Sequence, residues 1–281
     1  MSTVVDYFTY TPVQGAPEAA TVVFAAVSGF LVFQAVRARS VRWAYILPVT
    51  AAAEAIGYIF RAVCIKHISL GLFICMNLFL LLPPNAMALF NYKSIGDVAR
   101  QSGITPRRFW LRPRFITLFF WSSDVLSFAL QSAGASMTAH ASTVTTGRWI
   151  CLVGLAIQLV FLALFFAIVI VIKRNPLYTV SKHPAKMDGA QAKSRLMLII
   201  ILTTVLLYVR SVYRLIEFAD GYGGRIYRAE WALYVFDTLM ILFMFVVYIA
   251  LNVVAFFPRK HVDMPDEYAL VESRIDPRSR I

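Results

Sequence analysis

The sequence predicts an all-α, polytopic membrane protein: a seven-transmembrane helix bundle with its N-terminus outside and its C-terminus in the cytosol. Hydrophobic residues make up 59% of the 281 residues, whereas a soluble domain has roughly 45–50%. These residues occur in long runs, and a run of about 20 apolar residues is enough to cross the hydrocarbon core. The basic residues lie mostly in alternate connections between the runs, which is typical of a chain that crosses the membrane repeatedly.

Seven apolar segments define the order of the helices. The predicted helices cover residues 17–36, 43–64, 68–92, 115–138, 148–172, 196–218 and 230–257. The first segment has no basic region before it and no small-residue cleavage site after it, so we interpret it as a retained helix and not a signal peptide. Residues 1–16 are predicted to form an extracellular or lumenal segment, residues 17–258 the transmembrane domain, and residues 259–281 a cytosolic tail.

The distribution of Lys and Arg predicts the orientation. Twenty of the 27 basic residues lie in the connections 37–42, 93–114 and 173–195 and in the tail after residue 258. Four lie in the connections on the other side, and three lie within helices. This asymmetry places the basic connections in the cytosol, where they face anionic lipid headgroups. The net charge of +12 therefore does not indicate nucleic-acid binding, because no soluble basic helix with interleaved aromatic residues is present.

Seven charged side chains lie inside the apolar segments. They are Glu54, Arg61, Asp124, Arg210, Arg214, Glu217 and Asp237. A charge at the bilayer centre costs from about 2.5 to more than 10 kcal/mol, so such groups persist where they pair or face a water-filled cavity. Helices 2, 4, 6 and 7 carry them at similar depths, and those of helix 6 share one helical face. We expect them to pair in one internal network, which either fixes helix packing or forms a site.

We expect this network and its polar neighbours to bind the polar part of a substrate. The candidate residues are Glu54, Tyr58, Arg61, Asp124, Gln131, Gln158, Arg210, Arg214, Glu217, Tyr234 and Asp237. No cofactor and no metal site are predicted. The three cysteines show no CxxC spacing, and the helices carry no metal-ligand spacing.

Five motifs in order indicate a family. They are EAIGYIFR (54–61), FWSSDVLS followed by QSAG (120–134), GLAIQ (154–158), RSVYRLIEFADGYGG (210–224) and EWALYVFD (230–237). This set resembles the fungal lipid-translocating exporter family, the RTA-like seven-transmembrane proteins, over roughly residues 10–258. The resemblance implies a multi-pass protein of the plasma membrane or an endomembrane that is linked to export or tolerance of amphiphiles. It also implies that the charged residues above are the polar set shared by the family.

One departure from the family pattern concerns the end of helix 7. Members commonly carry His-Pro there, and this chain has Phe256-Phe257-Pro258. The change weakens any role assigned to that histidine. It is consistent with recruitment to a specialised task such as a secondary-metabolite pathway.

Three hypotheses for the function follow. The first is a membrane protein that binds and translocates or exports an amphiphile, such as a lipid, a long-chain base, or a sterol- or terpenoid-like compound, through the charged site. The second is a membrane-integral enzyme for acid–base cyclisation or isomerisation of a terpenoid or lipid, with Glu54 or Asp124 as general acid. The third is a seven-helix sensor or receptor, which the short cytosolic connections disfavour. The expected partner is a membrane lipid or amphiphilic small molecule.

Overall fold

The structure is a computed structural model. It describes residues 13, 15–67, 69–101, 112–138, 142–176, 189–221, 224 and 229–257. The predicted cytosolic tail lies outside the described residues, as does the predicted N-terminal segment apart from three residues.

The described residues form seven long helices, and the all-α prediction is confirmed. They are α1 (Ala16–Arg37), α2 (Ile46–Lys66), α3 (Leu70–Gln101), α4 (Pro113–Thr138), α5 (Val144–Arg174), α6 (Gly189–Asp220) and α7 (Glu230–Ala250). Six of them are long and apolar enough to cross a membrane, and α4 is the exception. Serines and Asp124 make α4 more polar, although its 26 residues are sufficient in length. Multi-pass membrane insertion is therefore confirmed, while a seventh span at α4 and the orientation remain predictions.

Several helices end at positions that hydropathy did not predict. Helix α3 continues to Gln101 and α6 begins at Gly189, inside connections predicted to be loops. Hydropathy marks the membrane-embedded part of a helix, and Lys and Arg continue a helix readily beyond it. Helix α7 ends at Ala250, before the predicted residue 257, because Asn252 adopts a left-handed φ of 44°. A short 3-10 turn, Val253–Phe256, follows.

Consecutive helices pack side by side, and contacts between α1 and α7 close the bundle. The ring of Phe24 on α1 lies 5.7 Å from that of Tyr58 on α2 and 6.1 Å from that of Phe245 on α7. The side-chain amide of Gln34 donates a 3.1 Å hydrogen bond to the Ile249 carbonyl. Helix α1 thus covers the contact between α2 and α7. The charged residues Glu54 and Arg61 of α2, Arg210 of α6 and Asp237 of α7 are buried inside the bundle.

Helices α4 and α5 approach most closely at glycines. A Cβ atom added at Gly134 would lie 2.6 Å from the Gly147 carbonyl oxygen and 2.5 Å from the Cys151 sulfur. One added at Gly154 would lie 3.0 Å from the Ser127 carbonyl oxygen. Small residues let helix backbones approach within membranes, where van der Waals packing drives association. These glycines therefore set the spacing of the α4–α5 pair.

A buried amide links α3, α6 and α7 on the side of the bundle where α3 and α7 end. Asn91 donates a 3.0 Å hydrogen bond to the Thr203 hydroxyl and accepts a 2.9 Å hydrogen bond from the Tyr248 hydroxyl. All three side chains are buried. This cluster could not be predicted from the sequence, because single uncharged polar residues are common in apolar helices and show no characteristic spacing.

Candidate functional site

Asp237 is the centre of a buried ionic cluster. Its other members are Glu54, Arg61, Arg210, Arg214, Glu217 and Glu230. The carboxylate oxygens of Asp237 lie 2.6 Å from Nε of Arg210 and 2.5 Å from Nη2 of Arg214. The Asp237 side chain is 1% exposed. A carboxylate that contacts two guanidinium groups recovers in the bundle the electrostatic stabilisation that it loses with its hydration shell. The pairing joins α6 to α7 at the level of these residues.

A π-helical turn orients the residues around Asp237. Residues Tyr234–Thr238 form this turn between two α-helical parts of α7, and such wide turns often occur at functional sites. The turn directs Asp237 towards α6, while the Thr238 hydroxyl lies 2.5 Å from the Tyr58 hydroxyl on α2. Thr238 was not a sequence candidate, because no spacing pattern predicts a π-helical turn.

Arg214 and Glu217 lie where the cluster meets a narrow cleft. Nη1 of Arg214 is 3.0 Å from Oε2 of Glu217. Both residues line a cleft of about 60 Å³ that Asn77 and Arg148 also line. Liquid water occupies roughly 30 Å³ per molecule, so this cleft has room for only a few waters. The site is therefore closed to a larger molecule in this conformation.

A fourth ion pair joins α2 to the start of α7. Nη2 of Arg61 lies 3.0 Å from Oε1 of Glu230, and the guanidinium carbon of Arg61 is 5.7 Å from the ring centroid of Tyr234. The second Glu230 oxygen accepts a 2.8 Å hydrogen bond from the backbone N–H of Val13. Glu230 was not among the sequence candidates. Its spacing i, i+4, i+7 with Tyr234 and Asp237 is the signal that could have identified it.

Glu54 differs from the other carboxylates of the cluster. It is fully buried, and neither of its oxygens has a hydrogen-bond partner among the residues that the structure describes. It interacts electrostatically with Asp237, Arg210 and Arg214, but it forms no ion pair among the described residues. An unpaired buried carboxyl group is costly. A ligand that donates hydrogen bonds to Glu54 would therefore be stabilised there.

The two prolines of α3 expose a backbone acceptor to the cluster. Pro84 has no N–H to donate to the Leu80 carbonyl four residues before it. Nη2 of Arg210 lies 3.5 Å from that carbonyl oxygen. Gly57 of α2 faces Leu80 so closely that an added Cβ would lie 2.9 Å from the Leu80 side chain. Helix α3 is thus connected to the ionic cluster through Arg210.

Three sequence candidates lie apart from the ionic cluster. Gln131 donates a 2.9 Å hydrogen bond to Gln158, which donates a 2.9 Å bond to the Asn85 side chain. These amides connect α4, α5 and α3 without contacting the three arginines. Asp124 lies beside the Tyr92 hydroxyl, without a hydrogen bond of normal geometry. The expectation that all charged helices share one network is therefore not met at α4.

An apolar groove lies on the outer surface of the bundle, on the helix segments that carry the ionic cluster. It has a volume of about 440 Å³ and runs between α6 and α7, with Tyr213, Ile216, Trp231 and Phe236 among its lining residues. The rings of Tyr213 and Phe236 stack with centroids 5.4 Å apart. These residues are sequence neighbours of Arg214 and Asp237. The groove thus places an apolar surface on the same helix segments that carry the ionic cluster.

The helices and the buried cluster define a multi-pass integral membrane protein with a charged interior. The chain belongs to the RTA1-like family: residues 47–260 match the family described as RTA1 like protein. The family resemblance seen in the motifs is thereby confirmed. No solved structure matches the chain significantly.

Fungal relatives support this assignment. The chain is 32% identical to Protein RTM1 of Saccharomyces cerevisiae over 198 residues, covering 70% of this chain and 62% of RTM1. It is 30% identical to Protoporphyrin uptake protein 1 of the same species over 215 residues, covering 73% of this chain and 65% of that protein. It is 28% identical to Lipid-translocating exporter-like protein RTA1 of Leptosphaeria maculans over 226 residues, covering 76% and 42%. The matches thus span less than two thirds of the length of these relatives.

Proposed function

We propose that this protein moves an amphiphile across the membrane and binds its charged headgroup at the ionic cluster. The observation that carries the proposal is Glu54, a fully buried carboxyl group without a hydrogen-bond partner in the described part of the chain, beside ion pairs that occupy the cluster's arginines. The names of two relatives, a lipid-translocating exporter-like protein and a protoporphyrin uptake protein, refer to the movement of amphiphiles. They support a transport role for this chain.

The charges of the cluster favour an amine as the headgroup. Arg61, Arg210 and Arg214 are paired with Glu230, Asp237 and Glu217. Glu54 is then the carboxyl group left to receive a cation. An ammonium group would donate hydrogen bonds to its oxygens and form a charge-assisted pair. The substrate class that fits is a long-chain base or another amphiphile with a primary amine.

The apolar groove between α6 and α7 fits the tail of the same molecule. It lies directly outside the cluster and is lined by apolar and aromatic side chains such as Ile216 and Trp231. If the headgroup binds at Glu54 and the tail lies in this groove, the tail stays in contact with lipid while the headgroup is bound. Because the cleft at Arg214 and Glu217 is small, the headgroup enters only when the helices around the ionic cluster move apart.

A pair of matched substrates tests the proposal. The full chain is reconstituted in liposomes, and the transbilayer movement of a labelled long-chain base is compared with that of its N-acetylated form, which lacks the charged amine. We expect the base to move at least about tenfold faster than in protein-free liposomes and the acetylated form to move at the protein-free rate, because a site built for a hydrogen-bonding group rejects the analogue without it. Equal acceleration of both compounds would show that the amine is not recognised.

Pro84→Ala is expected to lower the transport rate without lowering the stability of the protein. Alanine restores the N–H that pairs with the Leu80 carbonyl, so this acceptor is withdrawn from Arg210. Removing a helix-interior proline favours the helix, so we expect an unchanged or higher melting temperature in detergent. We expect the transport rate to fall several-fold.

Pro83→Ala is the matched control for Pro84→Ala. It changes the neighbouring proline of the same kink but leaves the Leu80 carbonyl exposed to Arg210. We expect its transport rate to remain closer to wild type. Equal losses in both variants would assign the effect to the bend of α3 and not to the Arg210 contact.

A further inference from the structure

A second charged feature lies at the end of the bundle opposite the ionic cluster. It is a groove of about 520 Å³ between the end of α3 and the start of α4, which we call the α3–α4 groove; its lining residues include Leu89, Lys93, Arg100, Arg114, Leu118 and Trp121. The cluster instead occupies the start of α7 and the end of α6. The α3–α4 groove therefore belongs to a different site.

The cations of this groove outnumber its carboxylates. Lys93, Arg100 and Arg114 line it together with one acidic residue, Asp97. Nη2 of Arg100 lies 2.7 Å from Oδ1 of Asp97, so this pair compensates the acidic charge. Nζ of Lys93 lies 5.4 Å from the ring centroid of Trp43, which holds the ammonium group at the groove. A net positive charge remains for an anionic ligand.

Both walls of the groove change from apolar to basic in the same direction. On α4, Arg114 is followed at i+4 and i+7 by Leu118 and Trp121, which share its face and are 64% and 44% exposed. On α3, Leu89 precedes Lys93 by one turn, towards the middle of the bundle. At 1.5 Å per residue, Trp121 lies about 10 Å deeper along its helix than Arg114. The groove is thus basic at the bundle end and apolar towards its centre.

We propose that the α3–α4 groove binds an anionic glycerophospholipid, with its phosphate at Lys93 and Arg114 and its acyl chains along Leu118 and Trp121. This layout matches a phospholipid, whose charged group lies at the membrane interface and whose chains extend into the hydrocarbon core. The sequence places this end of the bundle on the cytosolic side, the leaflet that carries anionic lipids. The bound lipid is a resident ligand, and the proposal does not depend on the transported substrate.

Native mass spectrometry of the full chain in detergent tests the site. Phosphatidylserine and phosphatidylcholine with identical chains are titrated, and the apparent dissociation constants of the first bound lipid are compared. We expect phosphatidylserine to bind about tenfold more tightly, since each basic residue near an anionic headgroup strengthens binding roughly fivefold. Lys93→Gln combined with Arg114→Gln should remove that preference. Arg114→Gln alone, at an exposed position, should lower it several-fold if the double variant does not fold.

Lys173→Gln combined with Arg174→Gln is the matched control. These exposed residues end α5 on the same side of the bundle, and the pair loses the same charge outside the groove. We expect it to keep the preference for phosphatidylserine. Water-soluble glycerophosphoserine should not displace the bound lipid, because it lacks the chains. Equal affinity for both lipids, equal losses in both double variants, or displacement by glycerophosphoserine would each overturn the proposal.

Discussion

Asp237→Asn is expected to lower the free energy of unfolding by about 3–5 kcal/mol, the cost of removing one partner from a buried ion pair. The neutral amide leaves Arg210 and Arg214 inside the bundle without the carboxylate that lies 2.6 Å and 2.5 Å from them. Asp237 also lies in the π-helical turn that connects α7 to α2 through Thr238. The measurement is thermal or denaturant unfolding of the purified protein in detergent.

Asp97→Asn is the control for this prediction. Asp97 also pairs with an arginine, Arg100, at 2.7 Å, but that guanidinium group is 73% exposed. An exposed ion pair contributes about 0–1 kcal/mol, so we expect little change in unfolding. If both aspartate variants lost the same stability, the cluster at Asp237 would not be the ionic core that we describe.

Gly134→Leu is expected to produce the second large effect, a loss of about 3 kcal/mol or more. Overpacking of a filled core costs typically about 1–3 kcal/mol. At Gly134 even the Cβ atom would meet backbone, 2.6 Å from the Gly147 carbonyl oxygen and 2.8 Å from the Cys151 nitrogen. Helices α4 and α5 must therefore move apart. The loss is measured as a drop in the melting temperature in detergent.

Gly29→Leu tests whether this effect comes from the helix contact. Gly29 is also a glycine within an apolar helix, but no atom lies within 4 Å of a Cβ placed there. Leucine is a better helix former than glycine by up to about 1 kcal/mol, so we expect unchanged or slightly higher stability. A comparable loss at Gly29 and Gly134 would refute the close packing of α4 on α5.

Much of the fold could be predicted from the sequence, because long apolar runs have one principal interpretation. The positions of α1 to α7 followed from these runs, while their ends did not. Hydropathy indicates membrane burial, and α3 and α6 continue as helices beyond their apolar runs. The break at Asn252 depends on a single left-handed residue, for which apolar periodicity carries no signal.

The ion pairs could be predicted only in part. The period of a helix indicates that Arg210, Arg214 and Glu217 share a face, but it does not indicate which helix that face meets. Glu230 shares a predicted helical face with Tyr234 and Asp237, but this spacing does not indicate that Glu230 pairs with Arg61. The sequence predicts that Asp124 lies at a depth similar to that of Glu54. Only the three-dimensional arrangement shows that it faces Tyr92 and not the arginines.

We propose that Glu54 binds the headgroup of the transported amphiphile. The most direct test compares Glu54→Gln with Asp124→Asn in liposomes, using transbilayer movement of a labelled long-chain base. Both changes convert a buried carboxyl group that has no hydrogen-bond partner among the described residues into an amide, but only Glu54 adjoins the ionic cluster. We predict that Glu54→Gln reduces movement to the protein-free rate while Asp124→Asn retains most of it. Wild-type movement in Glu54→Gln, or equal loss in both variants, would contradict the claim.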